Sequence, residues 1–177
     1  MNSGVSVSSW NNTHNGCVRV AQSANTAYEE RQPNITTSTD FIDDTFTDIY
    51  GGDDVNGGAL YFNGNQIVTL IQRCIFTNCS VMTTAVYYGG AFYAYTKSIQ
   101  TINTTITNCT ARYGGGIRME SITTCMSVRM CVIDGCKCVY VGGGLYFASC
   151  PVGDAVCQSG SNVSGSNVGV GSGLVVE

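Results

Sequence analysis

The chain has 177 residues, only 11% of them charged, and a formal net charge of −4. An acidic chain with no basic patch argues against nucleic acid as a partner, and no apolar run approaches the ~20 residues of a membrane span. Glycine is abundant at 22 residues, proline scarce at 2 and cysteine numerous at 10, a balance that suits short strands and tight turns better than surface helices.

Residues 1–40 match the repeat described below poorly and are expected to form an N-terminal cap or an irregular first coil. Met1-Asn2-Ser3-Gly4 does not open a secretory leader, so a secreted form would be a mature or partial product, or one from which the leader was removed. An acidic cluster follows, made of Asp40, Asp43, Asp44, Asp48, Asp53 and Asp54. Paired carboxylates can hydrolyse glycosides or bind Ca²⁺ for a lyase. Asp53-Asp54 is faintly similar to the Asp pair of polygalacturonases, but that family's histidine and Arg-x-Lys motifs are missing. Lyases also need a basic residue for proton abstraction, and the eight Lys and Arg are mostly scattered. A solvated loop is therefore the expected role of the cluster.

From residue 41 to 177 two signatures recur. Phe46-Thr47-Asp48, Phe76-Thr77-Asn78-Cys79, Ile106-Thr107-Asn108-Cys109 and Ile133-Asp134-Gly135-Cys136 lie 30, 30 and 27 residues apart. Between them come Gly57-Gly58-Ala59-Leu60, Gly89-Gly90-Ala91-Phe92, Gly114-Gly115-Gly116-Ile117, Gly142-Gly143-Gly144-Leu145 and Gly171-Ser172-Gly173-Leu174. A repeat of this length is one coil of a solenoid, which buries its apolar face only by stacking on its neighbours. The position held by Asp48, Asn78, Asn108 and Gly135 takes residue types that tolerate φ > 0, which predicts a left-handed corner in each coil. Runs such as Gln66-Ile67-Val68-Thr69-Leu70-Ile71 and Ser98-Ile99-Gln100-Thr101-Ile102 read as strands. Sandwiches and propellers would show hairpin turns at shorter intervals. The expected fold is all-β, a right-handed parallel β-helix of about five coils stacked ~4.8 Å apart.

Alternation along the strand after each Gly pair points Leu60, Phe92, Ile117, Leu145 and Leu174 inward, and likewise Phe62, Ala94, Met119, Phe147 and Val176. Tyr61, Tyr93, Arg118, Tyr146 and Val175 then form an outward row. This surface ladder has two readings: stacking that stabilises the sheet, with Arg118 on the rings, or an aromatic platform for a sugar or a partner surface.

The cadence from Phe76 to Tyr93, and from Ile106 to Ile117, resembles the repeats of polymorphic outer-membrane-type and adhesin-like β-helix proteins, which pair a Phe/Asn motif with Gly-Gly-Ala-apolar. The resemblance covers roughly residues 41–177. It implies a surface or extracellular binding and scaffolding role, and no catalytic residues.

Ten cysteines are many for a reduced cytosol. Cys136-Lys137-Cys138 is too tight for a zinc pair, and the only histidine, His14, lies outside the repeat, so no metal or other cofactor is expected. Coil alignment places Cys79, Cys109 and Cys136 at one position, and Cys74, Thr104, Cys131 and Cys157 at another. Stacked positions fall within disulfide reach, ~4.4–6.8 Å between Cα atoms. The expected pairs are Cys109 with Cys79 or Cys136, and Cys131 with Cys157; the alternative is a ladder of buried free thiols. Asn-x-Ser/Thr sequons at Asn11, Asn34, Asn78, Asn103, Asn108 and Asn162 are candidates for N-linked glycans. Asn78 and Asn108 fit this only if their side chains point outward rather than stacking inward as an amide ladder.

Together these features predict a non-enzymatic structural protein, extracellular or on a cell or virion surface, stacking head to tail with copies of itself or with other surface proteins. The alternative is a monomeric carbohydrate-binding adhesin module, and the third reading is a polysaccharide-processing enzyme. Ice binding through Thr101, Thr104, Thr105, Thr107, Thr123 and Thr124 is weaker, because these residues do not align in one outward row.

Overall fold

The computed structural model describes residues 21–52, 55–81 and 86–149, and the strands 155–157, 162–164 and 168–170. The described residues form strands and no helix, so none is long and apolar enough to cross a membrane. The strands pair in parallel, and the chain winds as a β-solenoid of about four turns, close to the five coils expected.

Each coil gives one strand, or two shorter ones, to a long-strand sheet built on Leu60–Gln72 and Phe92–Ile102. In the next coil that strand divides into Ile117–Glu120 and Cys125–Arg129. A short-strand sheet stacks Thr45–Thr47, Ile75–Thr77, Thr105–Thr107 and Val132–Asp134. A third side carries Thr110–Tyr113 against Lys137–Val141. Residues 21–40 join the same sheets in a shortened coil: Ala21–Ala24 lies beside Thr39–Ile42, and Ala27 and Tyr28 beside Thr45 and Phe46.

Alternation decides what each strand buries. Leu60, Phe62, Phe92, Ala94, Ile117 and Met119 are all fully buried, with Leu145 and Phe147 nearly so. In the short-strand sheet the central residue points inward, giving a stack in which Tyr28, Phe46 and Phe76 lie with centroids 4.6 and 4.5 Å apart and planes 2° and 3° from parallel. The ring spacing matches the ~4.8 Å strand spacing, so each ring covers the next. Burying one such side chain contributes roughly 1.5–3 kcal/mol.

The corners hold the coils in register. Asp48, Asn78, Asn108 and Gly135 have φ of 56, 55, 55 and 61°, as their residue types predict. A second left-handed column, Asp43, Arg73, Asn103 and Met130, has φ of 59, 54, 52 and 52°. Sequence reading missed it because Arg and Met do not favour this region. It is held because each corner N–H bonds to the next coil: Arg73 N donates to the Ile102 carbonyl (3.0 Å) and Asn103 N to that of Arg129 (2.9 Å). The third corner is the Gly pair. Gly89 supplies φ 70°, and a Cβ on Gly90 would collide with the Gly115 carbonyl oxygen of the next coil.

Two sequence alignments are corrected by the register. Leu145, Tyr146 and Phe147 pair with Val168, Gly169 and Val170, which hold the places expected of Leu174, Val175 and Val176; those three lie outside the described residues. Cys157 stands beside Val128, whereas Val132, the residue after Cys131, stands beside Asn162. Cys131 and Cys157 therefore do not occupy equivalent positions, and the alignment that paired them is displaced around the corner. The last glycine signature and the coil end on which head-to-tail stacking was expected lie outside the described residues.

Candidate functional site: a tyrosine–arginine corner

The outward row occupies the face expected of it, but it is not bare. Tyr93 and Arg118 are each only 7% exposed, whereas Tyr61 and Tyr146 are half-buried. The cover comes from a second column just before the Gly pair, Tyr88 and Tyr113 with Tyr140, which sequence reading missed. The signal was present, since Tyr88 and Tyr113 directly precede Gly89 and Gly114. The bend at the Gly pair folds this column back toward the strand that follows. Tyr88 and Tyr93, five residues apart in the chain, bring their centroids within 5.9 Å.

The two columns form one continuous patch. Tyr61 meets Tyr93 at 5.4 Å, Tyr88 meets Tyr113 at 5.5 Å, and Tyr113 meets Tyr140 at 5.2 Å and Tyr146 at 6.0 Å. Arg118 sits at the centre, its guanidinium carbon 3.6 Å from the Tyr88 centroid and 4.9 Å from that of Tyr146. This is the placement on the rings that the stacking reading expects. Its charge is balanced by Glu120, whose Oε2 accepts from Arg118 Nη2 (2.7 Å) and Nε (3.2 Å), and from the Tyr93 hydroxyl (3.1 Å). Burial, reinforced by the Glu120 charge, pushes the Tyr93 hydroxyl well above the ordinary phenol range.

Arginines also mark both ends of the patch. Arg31 lies 5.6 Å over Tyr61 and donates to the carbonyls of Gly57 and Asn56, 2.9 and 2.7 Å away. Arg112 lies 4.6 Å over Tyr140, and its Nη2 donates to the Tyr140 hydroxyl at 2.6 Å. Tyr140 is 54% exposed, with Val139 and Val141 beside it also open to solvent. The patch is thus fixed underneath by a paired charge and offers ring faces and hydroxyls on top.

The acidic cluster is not a solvated loop throughout. Asp44 is fully buried, accepting from the amides of Thr26 (2.8 Å) and Ile42 (3.2 Å), and the nearly buried Asp40 accepts from Leu70 N at 2.9 Å. These carboxylates brace the first coils by satisfying backbone donors. Asp43 forms a two-bond pair with Arg73, both contacts 2.6 Å, which holds its carboxyl below the usual range. Asp48 accepts from Asn78 Nδ2 at 2.8 Å. Asp53 and Asp54 lie outside the described residues. Among the described residues no group of three or more His, Cys, Asp or Glu is placed to hold a metal ion; His14 is not among them.

Cys79, Cys109 and Cys136 do stack on successive coils, buried, but with no disulfide linking them. Equivalent side chains project in parallel, so their Cβ atoms stay about a coil apart (~4.8 Å) where a disulfide needs ~3.8 Å. Contacts with Cys136 and Cys79, together with burial, hold the Cys109 thiol well above its ordinary value. Cys131 is also buried, its Sγ donating to the carbonyls of Thr101 (3.5 Å) and Arg129 (3.2 Å).

Four sequon asparagines, Asn34, Asn78, Asn103 and Asn108, are exposed at positive φ, so their side chains do not stack inward. Asn11 and the side chain of Asn162 lie outside the described residues. Thr101 and Thr104 are buried. A different outward threonine row, Thr47, Thr77 and Thr107, runs over three successive coils, and Asp134 ends it.

Comparisons with family models, with curated proteins and with solved structures found no match.

Proposed function

We propose that the chain is a non-enzymatic extracellular binding scaffold that holds carbohydrate on its tyrosine–arginine corner. The observation that carries this reading is the convergence of two tyrosine columns on the buried Arg118, which is paired with the half-buried Glu120. Tyrosine rings present flat apolar faces with a hydroxyl at the rim, which suits the apolar face and equatorial hydroxyls of a pyranose. Because Arg118 is already neutralised by Glu120, the centre of the patch calls for no counter-charge from a ligand, and a neutral sugar fits it. The rigidity of stacked coils sets the rings in place before binding, which lowers the entropy cost of association.

A scaffold rather than an enzyme is supported by the carboxylates, since Asp40, Asp43, Asp44, Asp48 and Glu120 are each engaged in holding the coil. Extracellular placement is supported by the exposed corner sequons.

The test is a glycan array with the wild-type chain, followed by Tyr140→Ala and Tyr61→Ala. Both rings are accessible, and their loss leaves the Arg118–Glu120 pair intact. Saturable binding that falls at least tenfold in either variant, with an unchanged melting temperature, supports the reading. Absence of binding, or binding indifferent to both substitutions, overturns it.

A further inference from the structure

Three of the exposed sequons border one face. The short-strand sheet lies between the corner column of Arg73, Asn103 and Met130 and that of Asn78, Asn108 and Gly135. Its outer surface exposes Ile75 (45%) and Val132 (42%), and Met130 at the corner is 54% exposed. Apolar side chains along a regular sheet face invite association with other chains unless covered.

We propose that N-linked glycans on Asn103 and Asn108, one at each corner, cover this face, and that Asn78 carries none. The transfer replaces one Nδ2 hydrogen by the sugar C1. The C1–O bond of a lipid-linked pyrophosphate donor breaks, the pyrophosphate leaves, and the transferase takes the proton. The sugar is added before the coil closes, so the folded coil decides which modified chains survive.

At Asn103 the coil leaves room. Arg73 on the preceding coil is drawn aside by its two bonds to Asp43, and Met130 on the next is open to solvent. At Asn108 the next rung is Gly135, which has no side chain; a Cβ there would fall 2.5 Å from Asn108 Oδ1. Asn78 differs because its own amide is engaged: its Nδ2, the atom that would carry the sugar, donates to Asp48 on the preceding coil at 2.8 Å, and the next rung carries the Asn108 side chain. Sugars on Asn78 and Asn108 together would start about one coil apart (~4.8 Å) and compete for the same space beside the corner.

This proposal rests on the extracellular placement in the reading above, yet the two fail separately, since glycosylation is scored without reference to glycan binding. The chain is secreted from a eukaryotic cell behind a cleavable leader, and amidase treatment in ¹⁸O water marks each formerly modified asparagine for mass spectrometry. The expected result is label at Asn103 and Asn108 and none at Asn78. Thr105→Ala with Thr110→Ala removes both sequons while leaving the corner asparagines in place and adding little apolar surface between Ile75 and Val132, and should lower the monomeric fraction at least several-fold. Absence of label at Asn103 or Asn108, label at Asn78 on the same molecules, or retention of the wild-type chain in the cell would overturn the proposal.

Discussion

The guanidinium carbon of Arg118 lies 3.6 Å from the ring centroid of Tyr88, a residue on the far side of the glycine bend. The same guanidinium donates through Nε and Nη2 to Glu120. One planar cation therefore joins the strand to the segment that folds back over it, and lysine cannot reproduce both contacts. Arg118→Lys should cost about 1 kcal/mol and Arg118→Ala about 3 kcal/mol, because the second leaves Glu120 without its partner. Urea titrations of both variants check this; a cost near zero for Arg118→Lys would show that stacking geometry contributes nothing.

The second glycine of each pair is a packing requirement rather than a conformational one. A Cβ at Gly90 would meet the Gly115 carbonyl oxygen and stand 2.6 Å from Thr110 N, both backbone atoms that cannot move without opening the ladder. Gly90→Ala should therefore destabilise by roughly 3 kcal/mol or more. Gly52, where a Cβ would meet only Val55 Cγ2 at an ordinary 3.6 Å but φ is 109°, should cost only about 1 kcal/mol as Ala, for strain alone. Thermal melts that rank the two in the opposite order would contradict the close-approach argument.

The fold was legible because one coil repeats its chemistry: the inward row of Leu60, Phe92 and Ile117 and the corner at Asn78 and Asn108 each follow from local residue type. The site was half legible. Tyr61, Tyr93, Arg118 and Tyr146 could be placed by alternation, but Tyr88 and Tyr113 reach that row only through the fold-back at the glycines. Asp44 looked like part of a surface acidic run because nothing local announces that Thr26 N, 18 residues away, bonds to it. The displaced Cys157 shows the same limit, since a change in loop length between coils shifts every later alignment.

The cysteine ladder gives a direct chemical prediction. Cys79, Cys109 and Cys136 are buried, whereas Cys125 and Cys138 are partly accessible. Reactivity follows thiolate character and access, so brief iodoacetamide treatment of the native chain should alkylate Cys125 and Cys138 and leave the ladder unmodified. Burial raises the Cys138 pKa, which slows its alkylation at pH 8. Denaturation should expose all three ladder thiols at once. Peptide mapping showing Cys109 in disulfide linkage before any oxidant is added would contradict the free ladder.

Alkali should unfold the chain in two steps. The Cys74 thiol is raised by burial from 9.0 to about 12, and the Tyr93 hydroxyl is raised from its ordinary 10.0 by burial and by Glu120. A folded-state pKa above the unfolded one means that the unfolded chain ionises first. The stability tied to each group is therefore complete below its ordinary value and is lost as pH rises toward its folded value. In reductant, urea midpoints should stay level from pH 7 to about 8.5 and then fall, each group contributing up to ~1.4 kcal/mol per pH unit. Cys74→Ala should flatten the decline that begins near pH 9, and Tyr93→Phe the steeper part above pH 10. A midpoint unchanged up to pH 11 would mean that neither group is shielded from water as the coil places it.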